Sequence, residues 1–152
     1  GDGPGCLSFP SNVSNQPIEL FENQAPLLVT EKCFVPDTAG EGRFRGGDGQ
    51  RLSFKSVAEA PITMTIRHER IHYPPRGLLG GEHGAPGLDL VNGKPIPAKS
   101  RQDLQPGDVA TFQTPGGGGL YPPDQREVAA VKEDLRRGLL SEEKARRVHD
   151  KF

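Results

Sequence analysis

A chain of 152 residues is long enough for one domain with a buried core. Its 20 glycines and 15 prolines predict many tight turns between short apolar runs, because both residues interrupt regular elements. The net charge of −1, with neither half lopsided, argues against an electrostatic nucleic-acid or membrane binder. No apolar run approaches the roughly 20 residues that a membrane helix needs.

The N-terminus, Gly1-Asp-Gly-Pro-Gly5, shows no initiator Met, basic region or apolar leader, so a processed chain or a piece of a longer one is expected. Cys6 and Cys33 then read as reduced thiols rather than a disulfide. Asn12-Val13-Ser14 matches the glycosylation pattern, but in this context it reads as turn chemistry.

Residues 1–17 read as loop, and Ile18-Glu-Leu-Phe21 as the start of a strand. Leu27 to Val35, between Pro26 and Pro36, is a second strand, rich in β-branched and aromatic residues. Arg51 to Lys55 and Ile62 to Ile66 alternate apolar and polar residues, the period of half-buried strands. Leu88 to Val91 runs into Asn92-Gly93, which predicts a type I′ hairpin turn. Asp108 to Gln113 is the last clear strand, entered through the Pro106-Gly107 turn. Beyond it the period changes. Asp124 with Glu127 reads as a capping box, Val128, Val131 and Leu135 as a helical stripe, and Gly138 as its stop. Ser141 caps a second helix, with Ala145, Val148 and Phe152 in line. These patterns predict a mainly-β domain, a compact β-sandwich or barrel-like arrangement of short strands over 1–122, with a helical C-terminal tail over 123–152.

Three motifs bear on chemistry. His68-Glu69-x-x-His72 spells a zinc-protease motif, which needs both histidines one helical turn apart on a helix. Strand alternation precedes it, and Pro74-Pro75 restrict the residue before them. On a strand the two histidines stand roughly 13 Å apart. A zinc protease is therefore only a remote alternative. Gly46-Gly-Asp-Gly49 and Gly116-Gly-Gly-Gly119 lack the Gly-Lys-Ser/Thr of a phosphate loop and read as turns or close backbone packing. Arg67, Glu69, Arg70 and Arg76 read as an ion-pair cluster at a surface or interface, with Arg43 and Arg45 as candidates to join it in space.

Five segments occur in an order that resembles one family: Gly42-Arg-Phe-Arg-Gly-Gly-Asp-Gly49, Glu69-Arg-Ile-His-Tyr-Pro-Pro-Arg-Gly-Leu78, Gly80-Gly-Glu-His-Gly-Ala-Pro-Gly-Leu88, Pro106-Gly-Asp-Val109 and Thr114-Pro-Gly-Gly-Gly-Gly119. They look like the C-terminal part of the hydantoinase B family, which includes N-methylhydantoinase B subunits, one half of 5-oxoprolinase, and subunits of acetone- and acetophenone-type carboxylases. The resemblance implies a segment or small subunit of an ATP-dependent, multisubunit, cytoplasmic enzyme that opens cyclic amides or carboxylates ketones. It implies two partners, the remainder of the B-type subunit and an actin-like ATPase (hydantoinase A-type) subunit, and no nucleic acid or membrane. ATP with Mg²⁺, and a divalent metal, are then expected to be held by other segments, with no cofactor bound by this chain. A His-x-His-Met-Thr-Asn stretch of some members corresponds to Leu7 to Asn12, where this chain has no histidine. The missing histidines argue against a catalytic carry-over, and the resemblance implies metal ligands upstream of the matched region, so no catalytic residue or metal ligand is assigned here. Substrate or interface contacts are expected at Arg43, Arg45, Glu69, Arg70, Arg76, Gly80, Gly81, Gly116 and Gly117. The rival expectation is a purely structural assembly module without active-site contact.

Overall fold

The computed structural model describes residues 1–5 and 16–149. Cys6, the Asn12 turn and Phe152 lie outside them. A short helix, α1 (Ile18–Gln24), precedes strands β1 (Leu27–Phe34), β2 (Gln50–Ser56), β3 (Ile62–Arg67), β4 (Leu88–Val91), β5 (Lys94–Pro95), β6 (Lys99–Leu104) and β7 (Val109–Gln113). A 3-10 turn at Pro123–Gln125 leads to helices α2 (Val128–Arg136) and α3 (Glu142–Val148). Among the described residues, no helix is long and apolar enough to cross a membrane.

The mainly-β reading holds, in its sandwich form rather than as a closed barrel. Five strands form an open antiparallel sheet in the order β1-β2-β7-β4-β5, and β3 pairs with β6 as a separate ribbon. Phe54 on β2 faces Ala110 on β7 in register. Both are buried with Leu104 of the ribbon, and Leu52, Ile62, Met64 and Phe112 pack around them. The ribbon thus covers one face of the sheet. Asn92 and Gly93 both have positive φ, 50° and 75°, as a type I′ turn requires.

Two elements depart from the sequence expectation. Residues from Ile18 form a helix, because Pro17 presets its start and Ile18 and Phe21 turn inward at helical spacing. Phe21 packs on Phe54 with ring centroids 5.5 Å apart. Asp124 does not cap α2, which begins at Val128 with Glu127 as its uncapped flanking residue. The chain is extended at Arg126, whose guanidinium turns inward to Asp2 and Asp134. Gly138, at φ 68°, does stop α2. Ser141 does cap α3, accepting from Lys144 N at 3.1 Å.

A second core contains almost no side chains. Three glycine-rich segments, 38–49, 76–87 and 115–121, lie backbone against backbone. Gly40 N–H donates to Gly117 O (2.8 Å), Gly117 N–H to Gly47 O (2.8 Å) and Gly119 N–H to Glu82 O (2.9 Å). Glu82 N–H in turn donates to Glu41 O (2.7 Å), and Ala85 N–H to Thr38 O (2.7 Å). A Cβ on Gly116 would overlap the Thr38 carbonyl, one on Gly118 that of Arg76, and one on Gly84 that of Gly116. Glycine is required there for space, since none of these three has positive φ.

Gly116→Ala should therefore cost about 3 kcal/mol, the upper end for overpacking. Gly93→Ala, with open space around its Cβ position, should cost only the backbone strain of about 1 kcal/mol. Chemical denaturation of the two variants checks this. Equal costs would contradict the packing argument.

Candidate functional site

The layer has a buried ionic side and an exposed apolar side. On the buried side, Glu41 is fully enclosed and Arg45 nearly so. Arg45 Nε donates to Glu41 Oε1 at 3.0 Å, and its two terminal nitrogens donate to Asp48 at 2.8 and 2.7 Å. Arg45 also donates to the Leu139 carbonyl at 2.8 Å, reaching the turn between α2 and α3. Lys144 on α3 donates to Asp37 O and Ala39 O at 2.9 and 2.7 Å, and lies 3.7 Å from Glu41. His149 donates Nδ1–H to Pro123 O at 3.1 Å, while its Nε2 stands 3.5 Å from Glu41 Oε2. Burial alone would raise the Glu41 pKa, but His149, Arg45 and Lys144 together hold the carboxyl below its ordinary range. Arg126 binds Asp2 through two bonds (2.8 and 2.9 Å) and Asp134 at 2.7 Å. It lowers the Asp2 pKa against the opposing effect of burial. The helices are thus held to the glycine layer by charge.

On the exposed side, Leu78, Leu79 and Tyr121 are 65, 69 and 37 % exposed. Leu78 and Tyr121 share a backbone bond, Tyr121 N–H to Leu78 O at 3.1 Å. Leu79 and Tyr121 have φ of 51° and 60°, a left-handed conformation that bulky side chains rarely adopt. Tyr121 meets Phe44 edge-on at 6.4 Å, and the exposed Arg43 guanidinium lies 5.4 Å over the Phe44 ring. Gly80 follows Leu79 at φ 93°, beneath Pro122.

The expected contact residues therefore separate. Arg43 and Gly80 lie at the exposed apolar face. Gly81, Gly116 and Gly117 are inside the backbone layer, and Arg45 is enclosed by Glu41 and Asp48. Arg76 is exposed, and its carbonyl abuts Gly118. Glu69 and Arg70 are exposed on a different cleft, of about 740 Å³, lined by His68, Glu69, Arg70, Tyr73, Pro97 and Lys99 among others. Glu69 pairs with Lys99 at 2.7 Å rather than with the neighbouring arginines, because the ribbon brings the start of β6 alongside the end of β3. The expected arginine–glutamate cluster does not form.

Residues 68–72 are not helical, so the zinc-protease spelling lacks the geometry it needs. His68 Nδ1 lies 2.6 Å from Asp89 Oδ1, and His72 is exposed. Among the described residues, no three His, Cys, Asp or Glu side chains converge on a metal-sized site.

Residues 1–123 match the hydantoinase B/oxoprolinase family. The chain belongs to that family. It is 31 % identical over 153 residues to the caprolactamase subunit beta of Pseudomonas jessenii, covering 95 % of this chain and 26 % of that subunit. Its fold superposes on the ATP-dependent caprolactamase from the same organism with a TM-score of 0.73 at 28 % identity, over 86 % of this chain and 24 % of that one. On nucleotide-free acetone carboxylase the TM-score is 0.82 at 20 % identity, over 97 % and 25 % of the two chains, a likeness of fold. The chain spans about a quarter or less of the length of the curated relatives it matches. The glycine segments that carry the family resemblance are those that build the backbone layer.

Glu41→Gln should destabilise the protein by about 3–5 kcal/mol, the cost of breaking a buried ion pair by removing one partner. Because the folded pKa of Glu41 is depressed, its contribution is complete above the ordinary glutamate value of 4.5 and is lost as pH falls through the lower folded value. Urea midpoints should therefore fall below pH 4.5 in the native protein, and more shallowly in the variant. Parallel pH profiles would contradict the assignment.

Proposed function

We propose that this chain is a segment or small subunit of an ATP-dependent, multisubunit enzyme of the hydantoinase, oxoprolinase or ketone-carboxylase type. Its role is mainly structural, and its loops contribute to the wall of the active site. The whole enzyme opens a cyclic amide or carboxylates a ketone. ATP with Mg²⁺, and a divalent metal, are held by segments outside this chain. The partners are the remainder of the B-type subunit and an actin-like ATPase subunit. Family membership supports the class of enzyme. The relatives support the assembly, since one is a subunit beta and the matched caprolactamase is ATP-dependent.

The observation that carries the structural role is the exposed apolar face. Leu79 and Tyr121 stay in a strained backbone that presents their side chains outward beside Leu78. Backbone strain of this kind concentrates at functional sites, and Tyr with Arg is the composition of interface anchors. The enclosure of Arg45 favours a second reading, a purely structural module, for that part of the chain.

Purification from the native source should bring down large partner subunits with ATPase activity, while a lone stable monomer would refute the proposal. Leu79→Asp and Tyr121→Asp should each weaken assembly by at least about 30-fold, the loss of one anchor, read by co-elution. In Arg70→Ala, lost turnover in an intact complex supports the active-site wall, whereas joint loss of turnover and assembly supports the purely structural module.

A further inference from the structure

His68 and Asp89 join the two sheets beside the cleft. His68 follows β3 of the ribbon, and Asp89 lies on β4 of the five-stranded sheet. Their contact, Nδ1 to Oδ1 at 2.6 Å, is short for a nitrogen–oxygen bond, as expected when the acceptor is charged. Asp89 is almost wholly buried, and its second oxygen, Oδ2, has no hydrogen-bond partner. With Nδ1–H committed to Asp89, the imidazole is held in the tautomer whose Nε2 carries the free lone pair. His68 lines the cleft and its side chain is 18 % exposed. The ring rests on Gly87, where a Cβ would come within 2.9 Å of Cε1 and 3.0 Å of Nε2. Two residues on, Arg70 is held at φ 64°, its carbonyl accepting from Gly87 N at 3.0 Å. His68 and Arg70 line the cleft, and Gly87 and Asp89 each lie against the His68 ring from outside it.

We propose that His68 and Asp89 form a proton-transfer pair whose working atom is His68 Nε2, serving a small polar molecule that enters this cleft and gives up an O–H or N–H proton. The proton passes to Nε2 and the bonding electron pair stays on the donor oxygen or nitrogen. Asp89 stabilises the imidazolium that forms, and the proton returns to the product in the reverse sense. Lys99 on the rim is paired with Glu69, and Arg70 beside them supplies the positive charge that favours the anion left behind. Catalytic use of the pair rests on the proposed enzyme role, but its chemistry can be read without it.

The test is carbethoxylation of the intact protein by diethyl pyrocarbonate at neutral pH, with sites and rates followed by peptide mass spectrometry. In the wild-type protein His68 should react at least as fast as the exposed His72. Asp89→Asn should slow His68 by about ten-fold, the loss of one charge-assisted hydrogen bond, while His72 keeps its rate. An unreactive His68, or one whose rate Asp89→Asn leaves unchanged, overturns the pair. If that variant does not fold, the wild-type comparison of His68 with His72 decides. In the native complex, His68→Asn should lower ATP-dependent turnover by at least about 100-fold, the lower end for a general base. Added imidazole should restore part of it to His68→Gly. Unchanged turnover in His68→Asn overturns the catalytic use. A complex with no ATP-dependent reaction would instead refute the proposed function and leave the carbethoxylation result standing.

Discussion

Carbonyl oxygens of one backbone pressed against the α-carbons of another set the terms for this molecule. Segments 38–49, 76–87 and 115–121 come so close that a single methyl at Gly84, Gly116 or Gly118 has nowhere to go. Packing of this kind gains no side-chain burial. It is held instead by a dense set of backbone hydrogen bonds, whose donors and acceptors must be paired once water is excluded. The constraint also places what lies outside the layer. With its interior taken up by main chain, the few side chains these loops carry point outward, as at Leu78, Leu79 and Tyr121, or inward into ion pairs, as at Glu41, Arg45 and Asp48.

The ion pairs follow from the same shortage of apolar surface. Helices α2 and α3 bury only a small cluster of their own, around Val131, Leu140 and Ala145. What fastens them to the loops is Arg126, Arg45, Lys144 and His149, each reaching a carboxylate or a backbone carbonyl. Such pairs add little net stability over a well-packed apolar contact, but breaking one is costly. They fix where the helices sit against the loops.

Much of the β architecture was legible because it follows period two. Arg51 to Lys55 and Ile62 to Ile66 read as strands from alternation and Leu27 to Val35 from its β-branched and aromatic residues between two prolines, while Asn92-Gly93, Gly138 and Ser141 carry local turn and cap chemistry that tertiary structure did not override. The four apolar-rich residues from Ile18 were too few to separate a strand from a helix. Strand β6, Lys99–Leu104, has only Leu104 fully buried, so its polar sequence hid a partner supplied by β3. The glycine runs signalled close approach, but not which backbones approach. Arg45 and Glu69 carried charge in the sequence without their partners, because Arg45 acquires Glu41 and Asp48 by loop curvature and Glu69 acquires Lys99 across the ribbon. His68 and Asp89 are brought together by two different sheets, and no local pattern links them.

Amide hydrogen exchange distinguishes a rigid backbone core of glycine segments from a set of surface loops. The amides of Gly40, Gly117 and Gly119, which donate across the layer, should exchange only through global unfolding and share the slowest rates with β2 and β7. Exchange of these glycines on the timescale of exposed turns such as Gly93, while β2 and β7 remain protected, would show that the segments are surface loops and not a core.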